Sequence, residues 1–100
     1  MISTKQRAYL RGLAQNIDPI FQIGKQGIEE SFIKQVDEAL EKRELIKIKV
    51  LENSGLETRA ASDFLCEKVG AEGVQAIGRK LVIYRKSKKN PKIELPKGKN

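Results

Sequence analysis

Two glycines three residues apart, Gly24 and Gly27, enclose Lys25 and Gln26 where a short apolar run gives way to an amphipathic one. A turn of that kind between a strand and a helix can hold a phosphate. Glycines let the backbone come close to the anion, and the helix N-terminus offers unpaired N–H groups and a positive dipole end. Lys25 adds a full charge at the tip. KH domains clamp nucleic-acid backbone with a GXXG loop on similar grounds. Two glycines at this spacing also make an ordinary turn. Glu29 and Glu30, in the first turn of the following helix, stabilise that helix but compete with an incoming phosphate. The loop therefore needs other basic groups beside it.

Those groups are present. Arg79 and Lys80 sit at a hairpin, Arg85 and Lys86 at the exit of the last strand, and Arg7 and Arg11 one turn apart on the first helix. The net charge of +7 is also unevenly placed. Residues 1–78 hold 11 Lys/Arg against 12 Asp/Glu, whereas residues 79–100 hold 9, ending at Lys99, against the single Glu94. Such a gradient suits a surface that meets a polyanion, and it also suits a tail that merely keeps the chain soluble. The aromatics are few, and Phe21, Phe32 and Phe64 fall at core-like positions beside Tyr9 and Tyr84. Recognition of shape and backbone is therefore expected over the stacking of single-stranded bases.

The 100 residues contain no histidine and one cysteine, Cys66. The commonest general base, the commonest metal ligand and an internal disulfide are thus ruled out. No catalytic motif stands out, and neither enzyme activity, a metal nor a cofactor is expected. Cys66 reads as packing. No apolar run approaches the ~20 residues of a membrane helix, and the N-terminus lacks a signal-like stretch, so a cytoplasmic location is expected.

The elements that must position these residues follow from periodicity. Ser3 and Gln6 form a capping-box pattern ahead of a helix over about Lys5 to Gln15, with Leu10, Leu13, Ala14 and Ile17 on one stripe. A short strand ends at Ile23. After the glycine turn a helix runs to about Lys42, with Ile28, Phe32, Ile33, Val36, Ala39 and Leu40 on one face. Leu45 to Leu51 alternates as a strand, with Ile46, Ile48 and Val50 on one side and Lys47 and Lys49 on the other. Ser54 and Glu57 suggest a second capping box before a helix that Gly70 ends. Strands Val74 to Ile77 and Lys80 to Arg85 form a hairpin at Gly78-Arg79. The fold class is α/β, in the order α-β-α-β-α-β-β, with helices packed on a mixed four-stranded sheet. Residues 1–86 make the domain. Residues 87–100 make a basic, partly mobile tail that Ile93 and Leu95 could tack back onto the body.

Four ordered blocks together resemble the bacterial YhbY family, the single-domain form of the CRM domain (chloroplast RNA splicing and ribosome maturation). They are Ser3-Thr4-Lys5-Gln6-Arg7 with Leu10-Arg11, Ile23-Gly24-Lys25-Gln26-Gly27-Ile28, Glu44-Leu45-Ile46-Lys47-Ile48-Lys49-Val50, and Ile77-Gly78-Arg79-Lys80-Leu81-Val82-Ile83-Tyr84-Arg85. The resemblance implies a fold like the C-terminal domain of translation initiation factor three. It also implies RNA binding and association with precursors of the large ribosomal subunit, so that large-subunit ribosomal RNA is the expected partner, with neither DNA nor membrane. Carried over by position, the RNA-binding residues are Gly24, Lys25, Gln26 and Gly27, flanked by Lys5, Arg11, Arg79, Lys80 and Arg85. Glu29 stands where family members often have threonine. The rival reading is a protein-interaction module that docks on a ribosomal protein or translation factor and touches RNA only non-specifically.

Overall fold

The structure, a computed structural model, describes residues 1–98. The first helix, α1, spans Thr4–Ala14 and opens on the expected capping box. Ser3 Oγ accepts from Gln6 N at 3.1 Å, and Gln6 Oε1 accepts from Ser3 N at 3.0 Å. Strand β1 (Phe21–Ile23) leads through the glycine turn to α2 (Glu30–Arg43), and β2 (Leu45–Val50) follows at once. A short 3-10 helix, Glu52–Ser54, precedes α3 (Thr58–Val69), and the chain returns as β3 (Glu72–Ile77) and β4 (Lys80–Tyr84).

The second capping box does not form. Ser54 Oγ instead donates to Leu51 O at 2.7 Å and accepts from Leu56 N at 3.1 Å, which closes its own 3-10 turn. Helix α3 begins beyond it, with Glu57 as an N-cap whose side chain makes no capping bond. Thr58 in the first turn donates to Gly78 O at 2.6 Å, which ties α3 to the hairpin.

The strands lie in the order β1-β2-β4-β3. The crossover through α2 makes β1 and β2 parallel, and β4 inserts antiparallel between β2 and β3. Both faces of the sheet are used. Ile46, Ile48, Val50, Leu81 and Ile83 pack against Val36 and Leu40 of α2 and Ala61, Leu65 and Val69 of α3. Leu45, Val74, Val82 and Tyr84 face the other way and meet Leu10 and Ala14 of α1. Leu10 is wholly buried, so truncating it to alanine would cost about 2–5 kcal/mol.

The chain beyond Lys86 differs from the mobile tail that its composition suggests. Glu44, the C-cap of α2, has φ 66° and a completely buried side chain. Its carboxylate accepts the backbone N–H groups of Ser87 at 2.7 Å, Lys92 at 2.7 Å and Ile93 at 2.8 Å. One turn earlier, Glu41 accepts Ser87 Oγ at 2.6 Å and the N–H groups of Lys88 and Lys89 at 3.1 Å each. Ile93 and Leu95 then pack against the α1 layer, and Gln6 Nε2 donates to Pro96 O at 2.9 Å. The two carboxylates thus satisfy the donors of a segment without regular secondary structure, and its apolar residues reach the core. Lys99, the last cation of the basic tail, lies outside the described residues.

Hydrogen bonds from Ser87, Lys88 and Lys89 hold the Glu41 carboxyl down at about 2, from an ordinary 4.5. Burial pushes Glu44 up, but its three backbone N–H bonds outweigh burial and leave it below the ordinary value. A carboxyl whose value is depressed on folding contributes stability above its unfolded value and loses it as pH falls through the folded one. The clasp should therefore be intact above about pH 4.5 and open progressively toward pH 2. In an NMR titration the amide protons of Ser87, Lys88 and Lys92 should move together over that window. If they keep their neutral-pH shifts down to pH 2, the carboxylates do not hold this segment.

Candidate nucleic-acid interface

The glycine turn, the 3-10 helix and the β3–β4 hairpin turn gather at one end of the sheet. Leu51 N donates to Ile23 O at 2.9 Å, and Val50 N donates to Arg79 O at 2.7 Å, which joins the three connections. Within the turn, Gly27 N donates to Gly24 O at 2.9 Å, leaving Lys25 and Gln26 exposed at the tip. Gly27 has φ +74°, a conformation that the fold itself reserves for glycine. Gly24 is different. Its φ is ordinary, and a Cβ there would meet Leu51 Cδ1 at 3.6 Å and Asn53 Oδ1 at 3.9 Å, which is normal van der Waals contact. Nothing in the folded chain requires glycine at 24, so a need for one would come from a ligand. Helix α2 starts beside the turn with no side-chain cap, its N-cap Glu29 and neighbour Glu30 both exposed. Its first N–H groups are thus open, but two carboxylates stand next to them.

Next to the turn lies an open row of side chains across the sheet. The registers Gln22↔Lys49, Lys49↔Lys80 and Ile77↔Lys80 place one residue from each strand side by side. Alternation puts this row on the α1 face, but α1 covers Leu45, Val74, Val82 and Tyr84 and leaves the row exposed. Lys49 and Lys80 are direct cross-strand partners, an arrangement that disfavours like charges by a few tenths to ~1 kcal/mol. Among the described residues neither has a carboxylate partner. Pro19, Ile20, Phe21 and Gln22 line a shallow groove with them. A polyanion laid along the groove would relieve the repulsion. The row carries no aromatic side chain on which a base could stack.

The residues singled out in the sequence are distributed unevenly. Gly24, Lys25, Gln26, Gly27 and Lys80 come together at this end of the sheet. Lys5 lies on the exposed first turn of α1. Arg11 lines a second groove with Arg7 and Arg59 along the free edge of β3, on the far side of the sheet from the glycine turn. Arg79 points inward. Its Nε donates to Val50 O at 2.8 Å and one terminal nitrogen donates to Leu51 O at 2.9 Å and Leu56 O at 3.0 Å. Arg85 lies between α2, α3 and β4, pairing with Asp37 and donating to Val69 O at 2.8 Å and Asp37 O at 2.9 Å. Both guanidinium groups therefore brace the scaffold. Lys49, absent from the sequence-derived set, joins it through register. The alternation of β2 marks it as solvent-facing.

Two other features bear on the chemistry. Burial pushes the Cys66 thiol up, away from reactivity, among residues of the α2–α3 layer. Among the described residues no cluster of His, Cys, Asp and Glu could hold a metal ion, and no helix is long and apolar enough to cross a membrane.

Comparison with known proteins supplies the family. The CRS1 / YhbY (CRM) domain matches residues 2–85. The chain belongs to the CRM domain family. A Bacillus subtilis protein named "Probable RNA-binding protein YqeI" is 44% identical over 96 residues, covering 96% of this chain and all of the relative. A Haemophilus influenzae protein named "RNA-binding protein" is 35% identical over 96% of each chain. A Staphylococcus aureus protein solved in solution superposes with a TM-score of 0.76 at 51% identity, over 96% of this chain and all of that one. In this CRM domain the family block from Ile77 to Arg85 thus contains two inward braces, Arg79 and Arg85, and one exposed cation, Lys80.

Removing the brace has a defined cost. Arg79→Ala leaves three backbone carbonyls without their charged donor and should destabilise the fold by about 2 kcal/mol in urea unfolding. Arg79→Lys, which cannot reach all three with a planar fork, should recover only part of that. Full stability in Arg79→Ala would mean that the side chain is not a brace.

Proposed function

We propose that the chain binds structured RNA through the phosphate backbone and assists assembly of the large ribosomal subunit by binding, without catalysis. The observation that carries RNA binding is the unpartnered Lys49–Lys80 pair beside a glycine turn whose tip presents Lys25. A backbone turn that admits a phosphate closely, next to cations set side by side across two strands, suits a regular array of phosphates better than an isolated anion. The absence of aromatics from the row favours duplex or folded RNA over splayed single strands. The names of the CRM relatives and the resemblance to ribosome-maturation domains support RNA as the partner and a precursor large subunit as its setting. The α2–α3 face carries Glu38, Glu67 and the Arg85-paired Asp37. Lys34 and Lys68 are interleaved with those acids, so that face offers RNA no continuous basic surface.

Changing Lys25 and Gln26 together to Asp should weaken binding to an RNA hairpin at least tenfold with melting unchanged. Lys49→Gln with Lys80→Gln should weaken it as much with melting equal or slightly higher, because the like-charge pair is gone. The slope of log affinity against log salt should become shallower by about 0.7–0.9 for each phosphate that the variant no longer neutralises. Gly24→Ala should leave stability within about 0.5 kcal/mol but lower RNA affinity, since only a ligand needs the space. Unaltered affinity in all three variants would remove the turn and row from the RNA site. For the cellular role, ribonuclease-sensitive sedimentation with immature large-subunit particles is expected. Protein confined to the top of the gradient would leave RNA binding without the assembly role.

A further inference from the structure

The clasped C-terminal segment builds a further basic groove, distinct from that of Arg7 and Arg11, at the end of the sheet opposite the glycine turn. Lys42 and Arg43 from the last turn of α2, Lys47 from β2 and Lys92 from the segment line it with Ile17, Ile20 and one acid, Asp18. Cations in the last helical turn are expected on their own account, because they offset the negative end of the helix dipole. Lys47, on the strand, has no such reason to be there. Lys47 projects from the sheet two residues before Lys49, on the same face and roughly 7 Å along the strand. Lys92 arrives from far along the chain, its backbone N–H held by the buried Glu44 carboxylate and its Nζ on Lys42 O at 3.1 Å. The groove therefore continues the Lys49–Lys80 row, and its fourth cation is in place only while the clasp is closed.

We infer that this groove is a second contact for the RNA backbone, with Glu44 as the positioning residue that sets Lys92 in it. The inference rests on the RNA-binding reading and extends the bound surface from the glycine turn across Lys49 and Lys47 to the clasped segment. It has a counter-intuitive consequence. Glu44→Gln removes a negative charge, which by itself would strengthen attraction to RNA. If Lys92 acts from a fixed position, the same change weakens binding, because the segment is released.

The test uses the full chain and a labelled RNA hairpin with a stem of about 16 base pairs. Lys92→Gln and Lys47→Gln should each lower affinity about threefold or more and make the salt slope shallower by about 0.7–0.9. Glu44→Gln should lower affinity by as much as Lys92→Gln, and the double variant should be no weaker than either single one, since both remove the same interaction. Glu44→Gln binding as tightly as the parent or tighter, with the segment shown to be released by proteolysis, would overturn the positioning role. Unchanged affinity in Lys47→Gln and Lys92→Gln would overturn the groove itself, even where Glu44→Gln fails to fold. Loss of binding in Lys49→Gln with Lys80→Gln, alongside normal binding in those two variants, would reject the second contact and leave the first standing. A parent chain that does not bind the hairpin would instead reject the RNA reading on which both rest.

Discussion

Ile48 of β2 and Leu81 of β4 are each completely buried and paired across the centre of the sheet, and the candidate interface depends on that pairing. Side chains alternate along a strand, so with these two turned toward α2 and α3 their neighbours Lys49 and Lys80 must emerge on the other face. The antiparallel register then sets the two lysines opposite each other. A slip of one residue by either strand would drive its lysine into the core, so hydrophobic packing on one side fixes the electrostatics on the other. The cost of holding like charges together is small beside the burial of Ile48, Leu81 and their neighbours, each worth about 1.5–3 kcal/mol. The core can therefore carry a repulsive surface pair that only an anion relieves.

The charged residues divide into those that hold the scaffold and those that face outward. Arg79 braces the end of the sheet where the glycine turn sits, because its guanidinium reaches the carbonyls of β2 and of the chain flanking the 3-10 helix. Arg85 does the same between α2, α3 and β4. Glu44 has the opposite sign and gathers N–H groups that no strand or helix satisfies. Its positive φ, strained by about 1–3 kcal/mol, lets the chain leave α2 and enter β2 without a loop. Lys25, Lys47, Lys49, Lys80 and Lys92 project outward from the frame these buried charges stiffen. Preorganised cations lose less entropy on binding than cations on a loose tail, which is the physical benefit of the clasp.

Much of this is legible in the residues. The Ser3–Gln6 capping box, the alternation of β2 and the glycine turn each have a local signature, and each forms as its signature indicates. The four-stranded mixed sheet follows from element order. Arg79 and Arg85 are not distinguishable from Lys80 in sequence, because their partners are mostly backbone carbonyls tens of residues away, and a carbonyl has no residue type. The clasp is hidden for the same reason: Glu44 and Glu41 bind N–H groups of a segment whose composition alone resembles a free tail. Only Ile93 and Leu95 hint at docking. Ser54 misleads because Ser-x-x-Glu marks a helix start only when the serine is not already closing a turn of its own.

The most direct measurement is an amide shift map of the isotope-labelled protein titrated with an RNA hairpin at two salt concentrations. The account predicts that perturbations concentrate at Gly24 to Gly27, Lys49, Lys80 and Lys47, extend to Lys92, and shrink as salt rises, with the α2–α3 face unmoved. Perturbations centred on Phe64 and Lys68 of α3, or confined to the β3 edge near Arg11 and Arg59, would contradict it.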